Sequence, residues 1–268
     1  MRTVSVVSIG LLSPGGIGPD GAQGGSKGEV PGFRARAYIQ NRKNLKLMSR
    51  AVKLGVSAIR LGLVDAGDVD AVPPVRRGMF VGSTPLGGEG SDLLPALDVA
   101  TDADGQLDLG RFAREGYALI HPLWLIKGLS NNVLGFASAI HDFQGVNANY
   151  CDGPDSGAHA LGEGWAAVAE DRADLVVAGA SDSWVGLEQL IGGKGVGEGA
   201  AFFVLAPGDQ GPWVLEQAPG PVDLDLEGPA MGFLGAAHEV VPFARAAMRG
   251  ETRTVSTSAG LLRVRRVC

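Results

Sequence analysis

The chain has 268 residues, with 23 Lys plus Arg against 29 Asp plus Glu and a formal charge of −6. Glycine is the unusual residue, 42 of 268, more than twice the usual share of about 7%; without a Gly-X-Y period and among apolar runs, it excludes collagen and a wholly disordered chain. The acidic balance argues against a dedicated nucleic-acid binder. The two cysteines, Cys151 and Cys268, make no disulfide framework and point to a reducing cytoplasm. No run approaches the roughly 18 apolar residues of a membrane span.

Val4, Val6, Val7 and Ile9 read as a first strand ending at Gly10. Ser13 to Gly32 is Gly- and Pro-rich and reads as a long mobile loop. Met48, Val52, Val56, Ile59 and Leu63 recur at helical spacing and predict an amphipathic helix stopping near Gly67. Gly78 to Ser83 is a short strand, broken by Pro85 to Gly90. Asp92 to Gly116 is acidic and loop-like, with one short helix. Pro122 to Phe143 is helical with an interruption near Gly128. Gly145 to Tyr150 is a strand and Asp155 to Ala169 a helix. Ala173 to Ala180 and Gly199 to Ala206 are strands with almost no polar residues, hence central in a sheet. Trp213 to Glu216 is a short strand and Pro219 to Pro229 a linker. Leu234 to Met248 is a helix candidate that Pro242 either kinks or truly starts, and Leu261 to Val267 reads as a closing strand. The alternation of helix and strand predicts an α/β layered fold.

Gly16 to Gly21 matches G-x-G-x-x-G, but Pro19, Gly21, Gly24 and Gly25 oppose the immediate helix that a dinucleotide site requires. No cofactor is expected. His121, His141, His159 and His238 have no metal-ligand spacing and read as structural, with His141 at a helix end that favours a cation. Asn147 to Leu161 reads as strand, sharp turn and helix, a setting that presents a nucleophile at a helix N-terminus. The residue at the turn is Pro154, and Cys151 lies three residues earlier.

These residues resemble a β-ketoacyl synthase of the thiolase superfamily. The resemblance runs through Val6 to Pro14, the helix Met48 to Leu63, Gly145 to Asn147 with Ser156 to Ala160, Ala173 to Ser181, and Gly197-Glu198-Gly199-Ala200-Ala201. It implies a thiolase-like layered α-β-α fold with a largely complete N-terminal half (1–218) and a strongly shortened C-terminal half (219–268). In the resemblance Pro154 occupies the position of the nucleophilic cysteine and Gly232 that of a catalytic histidine; the second family histidine has no counterpart. Claisen condensation needs the thiolate and both histidines, so the resemblance implies a non-catalytic subunit, similar to a chain-length factor, that pairs with an active ketosynthase. Its expected interface or tunnel residues are Leu134, Phe136, Ile140, Phe143, Asn147 and Asn149, with Phe136 or Phe143 as a tunnel stop. Two alternatives stand beside it. One is an acyl-transferring or thioester-hydrolysing enzyme using Cys151 with His159 or His238 as base. The other is a docking scaffold for an acidic acyl carrier protein, using the basic stretch of Arg34, Arg36, Arg42, Lys43, Lys46 and Arg50.

Overall fold

Successive residues of a strand face opposite sides of a sheet, and Phe202 and Phe203 are both fully buried; a strand carrying both must be covered on both faces. The computed structural model, which describes residues 1–25, 27–84, 92–187, 195–209, 211–219 and 234–267, meets that requirement. Its strands are β1 (Val4–Ser13), β2 (Gly16–Ile17), β3 (Arg77–Gly82), β4 (Asn147–Tyr150), β5 (Leu175–Ser183), β6 (Glu198–Pro207), β7 (Trp213–Gln217), β8 (Arg253–Thr257) and β9 (Gly260–Arg266). They form one mixed sheet in the order β4-β3-β5-β6-β1-β7-β9-β8, with β2 added to β1. β3 runs parallel to β4 and β5, and the pairings from β5 through β6, β1, β7 and β9 to β8 are antiparallel.

The helices are α1 (Arg42–Leu47), α2 (Arg50–Asp65), α3 (Leu94–Ala100), α4 (Leu109–Arg111), α5 (Trp124–Lys127), α6 (Asn132–His141), α7 (Ser156–Ala169) and α8 (Val240–Met248). On one face, Val52, Val56, Ile59 and Leu63 of α2 pack with Val133 and Ala137 of α6 against Met79, Val81, Val177, Phe202 and Val204. On the other, Leu161, Trp165 and Val168 of α7 and Val240, Phe243 and Ala247 of α8 pack against Phe80, Val176, Ala178, Phe203 and Leu205. This is the expected α-β-α layering. Each fully buried aliphatic or aromatic side chain contributes about 1.5–3 kcal/mol. A register shift between Val6 and Ser8 reverses the parity of β1. Val4 and Val6 therefore share a face with Ile9 and Leu11, an alternation that the sequence pattern alone does not give. The segments either side of residue 218 lie in the same sheet, because β9 pairs with β7.

Most elements fall where the sequence places them, with four differences. The expected mobile loop is structured in its described residues: Gly16–Ile17 folds back on β1, a 3-10 turn follows at Gly18–Ala22, and α8 packs against that turn. Arg245 donates to the carbonyls of Gly24 (2.9 Å) and Gly25 (3.1 Å), and Arg249 to that of Ala22 (2.8 Å). Arginines 220 residues away along the chain thus supply the order. Asp92 to Gly116 carries more helix than expected, with α3, α4 and a π-helical turn at Phe112–Gly116. Strand β8, polar at every position but the buried Val255, is additional. The helix expected from Leu234 begins at Val240, with Pro242 in its first turn, where the missing N–H has no intrahelical acceptor. The linker 219–229 (beyond Pro219), the break at Pro85 to Gly90, Gly232 and Cys268 lie outside the described residues.

Candidate functional site

Strand β4 is an edge of the sheet and leads directly into the turn before α7. The Val146 carbonyl accepts from Met79 N (3.0 Å) and the Tyr150 carbonyl from Ser83 N (2.9 Å). By strand alternation the main-chain groups of Asn147 and Asn149 face away from β3, and among the described residues nothing pairs with them.

The turn holds Cys151, Asp152, Gly153, Pro154 and Asp155. Pro154 is exposed at the start of α7, within a 3-10 turn, Gly153–Asp155. Ser156 shapes this turn: its Oγ accepts from Asp152 N (2.7 Å) and donates to the Gly153 carbonyl (2.8 Å). The position that the resemblance assigns to a nucleophile is therefore well formed, but its side chain is a pyrrolidine ring. Cys151 is exposed at the end of β4. Its Sγ lies 3.3 Å from Ser83 Oγ and accepts from Asn149 Nδ2 at 3.3 Å. His159 Nδ1 faces an Asp152 carboxylate oxygen at 3.0 Å. Cys151 thus has a hydroxyl and an amide beside it, and the imidazole of His159 is engaged by Asp152.

Beside this turn stands a buried carboxylate that the sequence reading did not single out. Asp182, near the end of β5, receives Ser183 N (2.9 Å) and Thr84 Oγ1 (3.3 Å) on one oxygen, and Ala236 N (3.0 Å) and Trp184 Nε1 (3.0 Å) on the other. Burial pushes its carboxyl above the ordinary range, and the four donors oppose that push. The only signal in the sequence is an acid near the end of a strand that is apolar from Leu175 to Ala180.

A second carboxylate corrects the basic stretch. Glu198, of Gly197-Glu198-Gly199, is 1% exposed. It accepts from Val30 N (2.8 Å), Ser183 Oγ (3.0 Å), and Arg50 Nε (2.9 Å) and Nη2 (2.5 Å). Arg50 also lies over the Phe33 ring at 4.9 Å. Its guanidinium is a component of the fold and stands apart from the exposed cations. Arg34, Arg36, Arg42, Lys43, Lys46 and Lys53, with Ala35 and Leu45, line an open groove of about 740 Å³, with no acid among the described residues of its wall. Lys53 joins them from α2, beyond the basic stretch that the sequence marks.

The residues expected at the interface or tunnel divide by burial. Phe143 is 8% exposed and packs into the core beneath α2, so it is a core residue. Leu134 and Phe136 are half-buried against the same cluster. Ile140 is 41% exposed. Leu125 and Tyr117, at 72% and 73%, are exposed in the segment that enters α6. His141 does not carry the charge that its helix-end position favours: burial, with the nearby Arg60 charge, pushes its pKa down to about 4. Among the described residues no cluster of His, Cys, Asp or Glu forms a metal site, and no helix is long and apolar enough to cross a membrane.

No protein-family model matches the chain. Solved structures do match it. One is a type II PKS acyl-carrier protein in complex with its ketosynthase bound to the hexaketide, with a TM-score of 0.72 and 14% identity over 100% of both chains. Another is the ishigamide ketosynthase/chain length factor, at 0.70 and 17% over 99% of this chain and 100% of that one. A β-ketoacyl synthase from Burkholderia phymatum STM815 matches at 0.61 and 18%, over 78% of this chain and 60% of that one. The fold is that of the ketosynthase and chain-length-factor structures, as the residues of the turn and the Gly-Glu-Gly-Ala segment implied.

Proposed function

We propose that this chain is a non-catalytic, ketosynthase-like subunit that pairs with an active β-ketoacyl synthase in fatty-acid or polyketide-type biosynthesis. The observation that carries the reading is the end of the sheet at β4. A strand with an unpaired edge at Asn147 and Asn149 runs into a turn built for a nucleophile, and Pro154 stands there instead. An open strand edge is a template for another strand. Ile140, Leu125 and Tyr117, exposed in the segment that precedes β4 along the chain, supply apolar surface of the kind that partners cover. The partner continues the sheet through β4, and the condensation chemistry resides in the partner. Phe136, half-buried on α6, is the residue proposed to narrow an acyl tunnel from this side. The test is co-expression with a ketosynthase followed by affinity capture on a tag carried by this chain. A stoichiometric complex supports the reading, and a chain that purifies alone counts against it.

The groove supports a second element of the same reading. The cations that line the groove, on a chain of net charge −6, fit an acidic protein surface. The carrier protein of the same pathway is the occupant proposed, through Arg42, Lys43 and Lys46 together with Arg34, Arg36 and Lys53. The enzymatic alternative rests on Cys151. Incubation with an acyl thioester followed by intact mass measurement decides it: a Cys151-dependent acyl adduct would restore that alternative.

A further inference from the structure

The four donors around Asp182 come from three separate parts of the chain: Thr84 after β3, Ser183 and Trp184 at the end of β5, and Ala236 in the turn before α8. Three of them are N–H groups, which cannot accept a proton from a carboxylic acid. Only the Thr84 hydroxyl is able to turn and accept. The cradle therefore suits the anion, and among the described residues no cation contacts it.

The turn that Asp182 holds, the 3-10 turn Gly235–Ala237, is a close fit. Gly235 sits at φ +53°, and a Cβ there would collide with the Asp182 carboxylate and the Trp184 indole nitrogen. The turn packs against the first residues of α7, where a Cβ on Gly157 would stand 2.8 Å from the Ala236 carbonyl. The wall beside Pro154 is consequently set by Asp182, two residues beyond the Gly157-facing Ala180 on β5.

We infer that Asp182 is an anionic latch that fastens Leu234–Ala237 closed over the first turn of α7, a positioning role independent of whether the chain pairs with a ketosynthase. The latch joins the turn before α8 to the end of β5, beside the first residues of α7. Releasing it frees the turn while leaving the sheet and its two helical layers in place.

The test is hydrogen exchange, followed by mass spectrometry, of the full chain and of D182N. Asparagine keeps the shape but offers one oxygen in place of two, so its amide nitrogen must face at least one N–H donor. Loss of hydrogen bonds to a charged acceptor is expected to raise exchange in the peptide covering 234–239 by about 10- to 100-fold. Peptides from the centres of β5 and β6 are expected to change by less than about 3-fold. T84V removes only the hydroxyl donor; it is expected to raise exchange of 234–239 by about 2- to 10-fold and decides the matter if D182N does not fold. Unchanged exchange at 234–239 in the variant that folds would overturn the latch. An equal rise across all peptides would overturn it too, since it would make Asp182 a general stabiliser.

Discussion

Replacing Arg50 by methionine separates a structural cation from its basic neighbours. The substitution keeps the aliphatic stem and removes the guanidinium. Glu198 then stays buried at 1% exposure with Val30 N and Ser183 Oγ as its remaining donors among the described residues. Breaking a buried ion pair from one side costs about 3–5 kcal/mol. Water reaches part of this pair, because the Arg50 side chain is 34% exposed, which brings the expected loss to about 2–3 kcal/mol. For a chain of this size that corresponds to about 5–10 °C in Tm. The assay is urea unfolding monitored by circular dichroism, with K43A and K46A as controls that should stay within about 0.5 kcal/mol of the parent. The double variant R50M/E198Q should lose less than the two single variants summed, because no buried charge is left unpaired. R50M unfolding within about 0.5 kcal/mol of the parent would refute the reasoning and return Arg50 to the exposed basic set.

Three further outcomes are expected. His141 is held neutral in the folded state at a pKa of about 4 against 6.5, so the unfolded chain binds the extra proton in that window. Its contribution is complete above pH 6.5 and falls as the pH drops from 6.5 towards 4, by about 1–2 kcal/mol after allowance for its partial exposure. H141L should flatten that part of a stability-against-pH curve, and a curve of unchanged shape contradicts the assignment. R245M leaves the Gly24 and Gly25 carbonyls without their donors, at a cost of about 2 kcal/mol. Limited proteolysis should then cut near residues 22–25 faster in R245M than in the parent. P154C places a thiol at the start of α7 but supplies no histidine partner, so it should gain reactivity toward a thiol reagent without gaining condensation of acyl thioesters.

The layered fold was legible because its signals are local. The apolar stripe Met48 to Leu63, the nearly nonpolar β5 and β6, and the strand-turn-helix around Pro154 each announce one element and its burial. The order of residues 16–25 was not legible, since it depends on Arg245 and Arg249 reaching back from α8. The parity of β1 was hidden by a bulge that no residue type marks. The candidate site was half legible. Pro154 and Cys151 stood out by position: Cys151 follows β4 directly, and Pro154 lies in the 3-10 turn before α7. Asp182 and the Arg50–Glu198 pair did not, because charge counting along the chain cannot tell a solvated cation from one that neutralises a buried carboxylate on a distant strand. Phe143 and Phe136 looked alike as aromatics near one helix, and only packing assigned the first to the core.

The pairing claim is tested most directly at the strand edge. N147P removes an N–H that faces away from β3 and so spares the pairing of β4 with its neighbour. Size-exclusion chromatography with light scattering on the co-expressed chains gives the mass of the assembly. The account predicts the summed mass of one copy of each chain for the parent and separate species for N147P, with N147P still cooperatively folded. A parent that elutes at its own mass beside the ketosynthase, or an N147P complex that persists unchanged, would contradict it.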